Sequence, residues 1–308
     1  MTLFALIVAL VLEQLQPLAV ETVTLNPLRR ISDFLVDRFN DGRAGNGRVA
    51  WWVVVLSLTI GGTLIFYLLW NLHPLFAAAF NILVLYVTMG FRWESHYFGD
   101  IQIALRMGEL DRARSLLGDW RGRSHEDSSS EEVARLAIEQ ALLAAHRNVF
   151  GVVFWFLLLP GPSGAILYRV SRFFAEDWGE RAEPEFGTFG RFARSAFEVI
   201  DWLPVRLTAA SFSIVGNFED AVFCWRSQAQ QWADKAAGIL IASGGGALGV
   251  RLGMPIQETG EIVERPEMGS GGDADADFMQ SAIGLIWRSL VLCLLLLALV
   301  TIASWVGR

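Results

Sequence analysis

The sequence contains few of the residues that several common protein classes require. Only two of its 308 residues are cysteines, Cys224 and Cys293, and so few cannot build a disulfide-linked secreted scaffold. Charged residues make up 19% of the chain, against about 25% in soluble domains, and 53% of the residues are hydrophobic. This composition excludes a disordered chain and an ordinary soluble enzyme, and it predicts a membrane protein.

Lysine and histidine are also scarce. Lys235 is the single lysine and follows Asp234 rather than a glycine, which excludes an ordinary Walker A phosphate loop. The four histidines do not pair at metal-ligand spacing, so no metal site is predicted, and His125 in its serine-rich loop is expected to be solvated. The net charge of −7 gives no support to nucleic acid as a partner.

Four long uncharged runs indicate helices that cross a bilayer. About 20 apolar residues, each rising about 1.5 Å, span a hydrocarbon core of roughly 30 Å. The four runs are residues 50–72, 75–91, 149–168 and 289–306. Residues 3–12 are apolar but short and are expected to form an N-terminal anchor, whereas 196–223 contains charges, so whether either segment spans stays open.

The arginines between these runs predict the orientation. Residues 28–48 contain five arginines and 92–147 contain eight, and a hairpin of the first two runs places both segments on one side. The positive-inside rule makes that side cytoplasmic. The predicted fold is therefore all-α, a multi-pass helical membrane protein. It has a membrane region at 1–91, a cytoplasmic helical segment at 92–147 and a second membrane region at 148–308.

Local signals divide the segments between the runs. Helices are expected at 94–107 and 109–118, with a break at Gly108, and Ser129 with Glu132 fits a capping box that opens a helix at 130–147. The polar stretch 257–279 is expected to be a loop whose end at 269–277 (GSGGDADAD) is flexible and acidic. Residues 160–164 (PGPSG) interrupt the third run, either as a functional break in a helix or as the turn of a re-entrant hairpin.

A glycine motif resembles a nucleotide-binding fingerprint. Gly244, Gly246 and Gly249 have the GxGxxG spacing, which in dinucleotide-binding proteins lies between a strand and the start of a long helix. No βαβ pattern precedes the motif here, and Pro255 follows closely. We therefore favour a glycine-rich anion-binding turn or tight packing against a membrane helix, with Arg251 as a candidate for a phosphate contact.

The charges inside 196–223 form a second candidate site. Glu198 and Asp201 are three residues apart and share a helical face, and Pro204 is expected to interrupt the helix before Arg206. Ionisable groups in a membrane usually face a cavity, a partner or the water interface. The group is either a functional carboxylate–arginine site or part of an amphipathic helix in the interface, with Asp201 and Arg206 as a structural pair.

Several short segments along the chain resemble a known family. Residues 246–253 (GALGVRLG) and 260–266 (GEIVERP) resemble the CobD/CbiB family of membrane proteins, whose best-known members make adenosylcobinamide phosphate, a cobalamin precursor. Residues 202–207 (WLPVRL) resemble its Pro-Ala-Arg-Leu motif, and Gly122-Arg123 stands where the family has Gly-Arg-Asp-Thr. The N-terminal residues, with 201–207, are similar to its AmpE branch, which is associated with signalling of β-lactamase induction and cell-wall recycling. AmpE is an inner-membrane protein, so this resemblance implies the bacterial inner membrane as the location.

Acidic positions of the synthase motifs differ in this chain. Residues 122–125 read GRSH, the segment before the third run reads HRNVFG, and 172–176 read RFFAE. An ATP-dependent amide ligase needs carboxylates for Mg²⁺ and basic groups for phosphates. The resemblance, together with the replacement of these acidic motif positions, predicts a non-enzymatic or catalytically altered AmpE-like protein. This protein would act in envelope signalling or sensing.

Two other functions remain open. The alternative is an adenosylcobinamide-phosphate synthase-type ligase that uses ATP and Mg²⁺ in cobalamin biosynthesis, whereas a transporter is weaker because inverted repeats are not visible. The expected partners are the lipid bilayer and a small-molecule or envelope-derived ligand, with a homo-oligomer left open. Candidate ligand- or phosphate-binding residues are Gly244, Gly246, Gly249, Arg251, Arg206, Asp201, Glu198 and Arg123.

Overall fold

The computed structural model describes residues 2–16, 24–181, 186–258 and 261–306, and helices dominate it, which confirms the predicted all-α class. Gly260, which carries part of the family resemblance, lies outside these ranges. The helices are α1 (Thr2–Leu15), α2 (Asn26–Phe39), α3 (Ala44–Leu72), α4 (Pro74–Thr88), α5 (Phe91–Arg106), α6 (Leu110–Arg121), α7 (Ser130–Ala145), α8 (Gly151–Leu158), α9 (Ser163–Glu180), α10 (Arg191–Val215), α11 (Phe218–Gln228), α12 (Lys235–Leu248) and α13 (Ala276–Val306). The short strands are β1 (Arg251–Gly253), β2 (Ile256–Glu258), β3 (Glu261–Val263) and β4 (Glu267–Gly269).

Three helical runs in the described ranges are long and apolar enough to cross a membrane. They are Ala44–Leu72, Ser130–Leu158 and Ala276–Ser304. The first and third confirm the spans predicted at 50–72 and 289–306, and the chain is a membrane protein. The run predicted at 75–91 forms the apolar helix α4, which has only 15 residues.

The prediction of one span at 149–168 is wrong, because this run forms two helices joined by a turn. The turn between α8 and α9 contains Pro160, Gly161 with φ +60°, and Pro162, and prolines cannot continue the hydrogen bonding of a helix. The two helices then approach closely, since a Cβ on Gly164 would lie 1.8 Å from the carbonyl oxygen of Trp155. Residues 160–164 are therefore the turn of a helical hairpin.

The span-length run in this region begins earlier than predicted. Helix α7 continues into α8 through the π-helical turn His146–Phe150, so the end of the segment predicted to be cytoplasmic belongs to the run Ser130–Leu158. The predicted start is confirmed, because Ser129 Oγ accepts a hydrogen bond from the Glu132 N–H at 3.1 Å. The predicted break at Gly108, with φ +76°, is also confirmed.

The described chain divides into two compact units, and the first comprises Met1–Gly90 and Asn148–Pro204. Its core is rich in aromatic side chains from α3 and α9. Trp51, Phe174 and Trp178 are buried there, and the Phe174 and Trp178 ring centroids are 4.6 Å apart. Large rings each bury about 150–250 Å², so these helices supply much of the apolar burial of the unit.

The second unit comprises Phe91–Arg147 and Val205–Arg308. Its segment 257–279 is not a loop throughout, as was predicted, because β2 pairs antiparallel with β3 and β4 pairs antiparallel with β1. Asp275 then caps α13 by accepting a hydrogen bond from the Phe278 N–H at 2.8 Å. Strands of only three residues leave too short an alternating pattern to be recognised in the sequence.

Helix α10 runs through Pro204, so the predicted interruption at this proline is wrong. Proline has no N–H, and its presence inside a helix leaves the carbonyl of the residue four positions earlier without its usual donor. That carbonyl belongs to Ile200, and the Trp155 indole Nε1 donates a hydrogen bond to it at 3.2 Å. A side chain of α8 thus replaces the backbone donor that Pro204 lacks.

Candidate functional site

The motif glycines lie in the second half of a helix and at its end. Gly244 and Gly246 are inside α12, and Gly249, with φ +68°, is its C-terminal cap. A Cβ on Gly244 would lie 2.6 Å from Cδ1 of Leu142, and one on Gly246 would lie 2.5 Å from the carbonyl oxygen of Asp220. The alternative of tight packing is confirmed. The anion-binding alternative does not fit, because a helix C-terminus carries partial negative charge.

Arg251 follows this cap on β1 and contacts an acidic side chain. Its Nη2 lies 2.6 Å from Oδ1 of Asp273, and the two side chains are 36% and 52% exposed. Ion pairs with this exposure contribute at most about 1 kcal/mol, so an anionic ligand that reaches Arg251 would compete readily with Asp273. A role of Arg251 in binding phosphate stays a prediction.

The remaining predicted site residues lie in different environments. Asp201 of α10 is buried and accepts a hydrogen bond from the Tyr168 hydroxyl at 2.9 Å, whereas Glu198 is exposed, so the two carboxylates do not share one site. In the second unit, Arg206 is half-buried on α10, and Arg123 is exposed just after α6. Ligand binding by these residues stays a prediction.

Two arginines of α9 contact one asparagine in the first unit. The Nη1 atoms of Arg169 and Arg172 lie 3.1 and 2.7 Å from Oδ1 of Asn148, and Arg172 Nε lies 2.9 Å from Oε1 of Glu176. Asn148 and Arg169 are only 3% and 7% exposed. We call Asn148, Arg169 and Arg172 the arginine cluster. The sequence interpretation missed it, although two arginines three residues apart directly after an uncharged run were visible.

A buried ion pair lies in the second unit. Glu139 of α7 accepts hydrogen bonds from Arg265 Nη1 and Nη2 at 2.9 and 3.0 Å and from the Gly253 N–H at 2.8 Å. The guanidinium lies over the Trp232 ring, 5.1 Å from its centroid, and also donates to the Gly253 and Met254 carbonyls. Met254 has φ +64°, so this Glu139–Arg265 pair holds a strained turn. The partners are 126 positions apart, which hid the pair from sequence inspection.

Two of the histidines are buried inside the second unit. His146 Nδ1 lies 2.9 Å from Thr208 Oγ1 with both residues buried, and His125 is 2% exposed, so its predicted solvation is wrong. Within the described ranges, no three His, Cys, Asp or Glu side chains are grouped so that they could hold a metal ion.

Comparison with known proteins identifies relatives along most of the chain. The sequence model of the CobD/Cbib protein family matches residues 6–286. The cobalamin biosynthesis protein CobD of Stutzerimonas stutzeri is 33% identical over 273 residues, which cover 87% of this chain and 88% of that protein. The cobalamin biosynthesis protein CbiB of Salmonella typhimurium is 27% identical over 267 residues, which cover 83% and 81%. No solved structure matches the chain significantly.

These relatives correct the functional prediction. They are named for cobalamin biosynthesis, so the leading interpretation from the sequence, a role in envelope signalling, is wrong, and the AmpE-like branch is not confirmed. The family match extends over both membrane regions rather than one shared motif. The Stutzerimonas stutzeri protein is 33% identical to this chain over 88% of its own length. This similarity and the family match show that the chain belongs to the CobD/CbiB family.

Proposed function

We propose that this protein acts in cobalamin biosynthesis as a membrane-bound enzyme that joins a corrinoid acid to an amine with consumption of ATP. The observation that carries the proposal is the similarity to the CobD protein of Stutzerimonas stutzeri, which covers 87% of this chain. The type of reaction comes from the family resemblance, in which the best-known members form adenosylcobinamide phosphate.

Asp201 is the proposed general base. An amine must lose a proton when it attacks an activated carboxyl group, and a positioned carboxylate is suited to accept that proton. Asp201 is 4% exposed and is oriented by the Tyr168 hydroxyl at 2.9 Å, so its carboxylate has a fixed direction and little contact with water. Exclusion of water also protects an activated acyl group from hydrolysis.

The proposed location is the bacterial inner membrane, with several helices across the bilayer. Two observations support it: three helical runs have the length and composition of spans, and arginines are concentrated at 28–48 beside the first of them. The lipid bilayer is then a direct partner of the exposed apolar side chains of α3 and α13, and the substrates are small molecules.

Complementation of a cobalamin auxotroph tests the proposal. A strain that lacks its own CobD protein should grow without added cobalamin when it expresses this chain. Asp201→Asn should abolish that growth, whereas the control Glu131→Gln, an exposed residue in the first turn of α7, should retain it. Failure to grow with normal levels of membrane-inserted protein, while the Stutzerimonas stutzeri protein restores growth, would contradict the proposed function.

A further inference from the structure

A shallow groove runs along the exposed side of α3. Its volume is about 470 Å³, within the range of roughly 300–1,000 Å³ that is usual for small-ligand sites, and side chains of α3 from Trp52 to Leu64 line it. The smallest lining residues, Ser57 and Gly61, are four positions apart, and among the described residues no atom lies within 4 Å of a Cβ built on Gly61. The groove is therefore open along one face of this helix.

The groove has the length of a lipid acyl chain. Trp52 and Leu64 are 12 positions apart, so the groove extends over about 18 Å at about 1.5 Å per residue. One leaflet contributes about half of a hydrocarbon core of roughly 30 Å. Helix α3 has the length and composition of a membrane span, and Leu56, Ile60 and Leu64 in the groove are all exposed and apolar. A chain of methylene groups therefore matches the groove in length and in polarity.

Aromatic and basic side chains lie at the Trp52 end of the groove. The ring centroids of Trp52 and Phe192 are 6.4 Å apart, and Cζ of Arg48 lies 5.9 Å from the Phe192 centroid. All three residues belong to the first unit. Tryptophan is enriched where a helix passes through the headgroup region, and arginine there is attracted to anionic lipids. Arg48 precedes Trp52 by about one turn, or about 6 Å, which places its guanidinium beyond the apolar groove.

A second arginine lies at this end because α10 begins beside the start of α3. The Thr188 N–H donates a hydrogen bond to the Gly42 carbonyl at 3.0 Å, and a Cβ on Gly47 would lie 1.9 Å from the Phe189 carbonyl oxygen. Arg191 follows this contact in the first turn of α10 and is exposed, as is Arg48. The polar end of the groove is therefore basic, which complements a negatively charged headgroup.

We infer that the α3 groove binds one acyl chain of a phospholipid with a net negative headgroup, and that Arg48 contacts the headgroup phosphate. Trp52 and Phe192 then lie at the boundary between the headgroup and the chain. The arginines at 28–48 assign this lipid to the cytoplasmic leaflet. The inference goes beyond the proposed function, and it does not depend on the reaction that the protein catalyses.

Thermal unfolding of the detergent-purified full chain tests the lipid site. Phosphatidylglycerol and phosphatidylcholine are titrated separately as mixed micelles at equal mole fraction and equal ionic strength. The two lipids share a phosphate and similar chains, but only phosphatidylglycerol has a net negative charge. A lipid that binds only the folded protein raises the melting temperature in a concentration-dependent way. We expect phosphatidylglycerol to stabilise the protein at a lower mole fraction than phosphatidylcholine does.

Three variants assign the effect to the groove. Arg48→Gln should weaken the apparent affinity for phosphatidylglycerol about fivefold, which corresponds to about 1 kcal/mol per basic residue near an anionic lipid surface. Gly61→Leu fills the groove where the described structure leaves open space, so the variant should fold and lose the response to phosphatidylglycerol. The control Arg226→Gln removes an exposed arginine of α11 in the second unit and should respond as the wild type does.

Three results would overturn the inference. The first is equal stabilisation by the two lipids, because the groove would then not select a charged headgroup. The second is an unchanged response in Gly61→Leu, which would place the lipid elsewhere. The third comes from light scattering: a wild-type dimer that Gly61→Leu converts to a monomer would show that a second copy of the chain occupies the groove. Preferential stabilisation that only the two α3 variants reduce supports the site, whether or not complementation succeeds.

Discussion

The Glu139–Arg265 pair gives a quantitative prediction about stability. The side chains of Glu139 and Arg265 are 6% and 12% exposed, and the carboxylate accepts three hydrogen bonds, one of them from the Gly253 N–H. Loss of one partner of a buried ion pair costs about 3–5 kcal/mol, because the remaining charge stays buried. We therefore expect Glu139→Gln to lower the free energy of unfolding by about 3 kcal/mol.

The assay is thermal unfolding in detergent, combined with hydrogen exchange. For domains of this size about 1 kcal/mol corresponds to roughly 2–4 °C, so the melting temperature should fall by about 6–12 °C. Exchange should accelerate first at β1 and β4, which the pair ties to α7. The control Glu131→Gln, an exposed residue in the first turn of α7, should cost at most about 1 kcal/mol.

A double variant distinguishes loss of the pair from general damage to the core. Replacing both Glu139 and Arg265 by methionine removes both charges, and such apolar replacements of buried pairs are often nearly neutral. The double variant should therefore be more stable than Glu139→Gln alone. The reasoning would be refuted if Glu139→Gln melted at the same temperature as Glu131→Gln, or if the double variant were the least stable of the three.

Three further predictions concern packing, reactivity and hydrogen bonding. Gly164→Ala places a Cβ against a carbonyl oxygen and should destabilise the protein by about 1–3 kcal/mol, whereas Gly61→Ala, with nothing within 4 Å, should not, as thermal unfolding will show. Burial raises the pKa of the Cys224 thiol, so in a Cys293→Ala background this thiol should stay protonated and unlabelled by maleimide at pH 7 until the protein unfolds; rapid labelling of the folded protein would contradict this. Tyr168→Phe removes the donor to a buried carboxylate and should cost about 1.5–3 kcal/mol; an unchanged melting temperature would show that this hydrogen bond contributes little.

The sequence predicts those elements whose signal is local and continuous. Residues 50–72 contain no charge over more than the length of a bilayer span, and Ser129 precedes Glu132 at the spacing that a helix cap requires. Both features appear in the structure because each depends only on neighbouring residues. The glycines of α12 show the limit of such reasoning, because a spacing motif does not state whether a helix begins or ends there.

The features that were missed depend on contacts between distant residues. Glu139 adds a charge to the apolar run Ser130–Leu158, and only its contact with Arg265, 126 positions away, explains how a helix buries it. Helix α10 continues past Pro204 because Trp155 donates to the carbonyl of Ile200, a bond that no local pattern predicts. The predicted signalling function was wrong because it gave more weight to differences in short motifs than to similarity along most of the chain. The similarity to the cobalamin biosynthesis relatives corrected it.

Product formation by the purified protein tests the central claim most directly. The detergent-solubilised chain is incubated with ATP, Mg²⁺, a corrinoid acid and the amine substrate, and the new amide is detected by mass spectrometry. Our account predicts ATP-dependent formation of the amide, lost in Asp201→Asn and retained in Glu131→Gln. Absence of the amide with folded wild-type protein, under conditions in which the Stutzerimonas stutzeri CobD protein forms it, would contradict a role for this chain as a biosynthetic ligase.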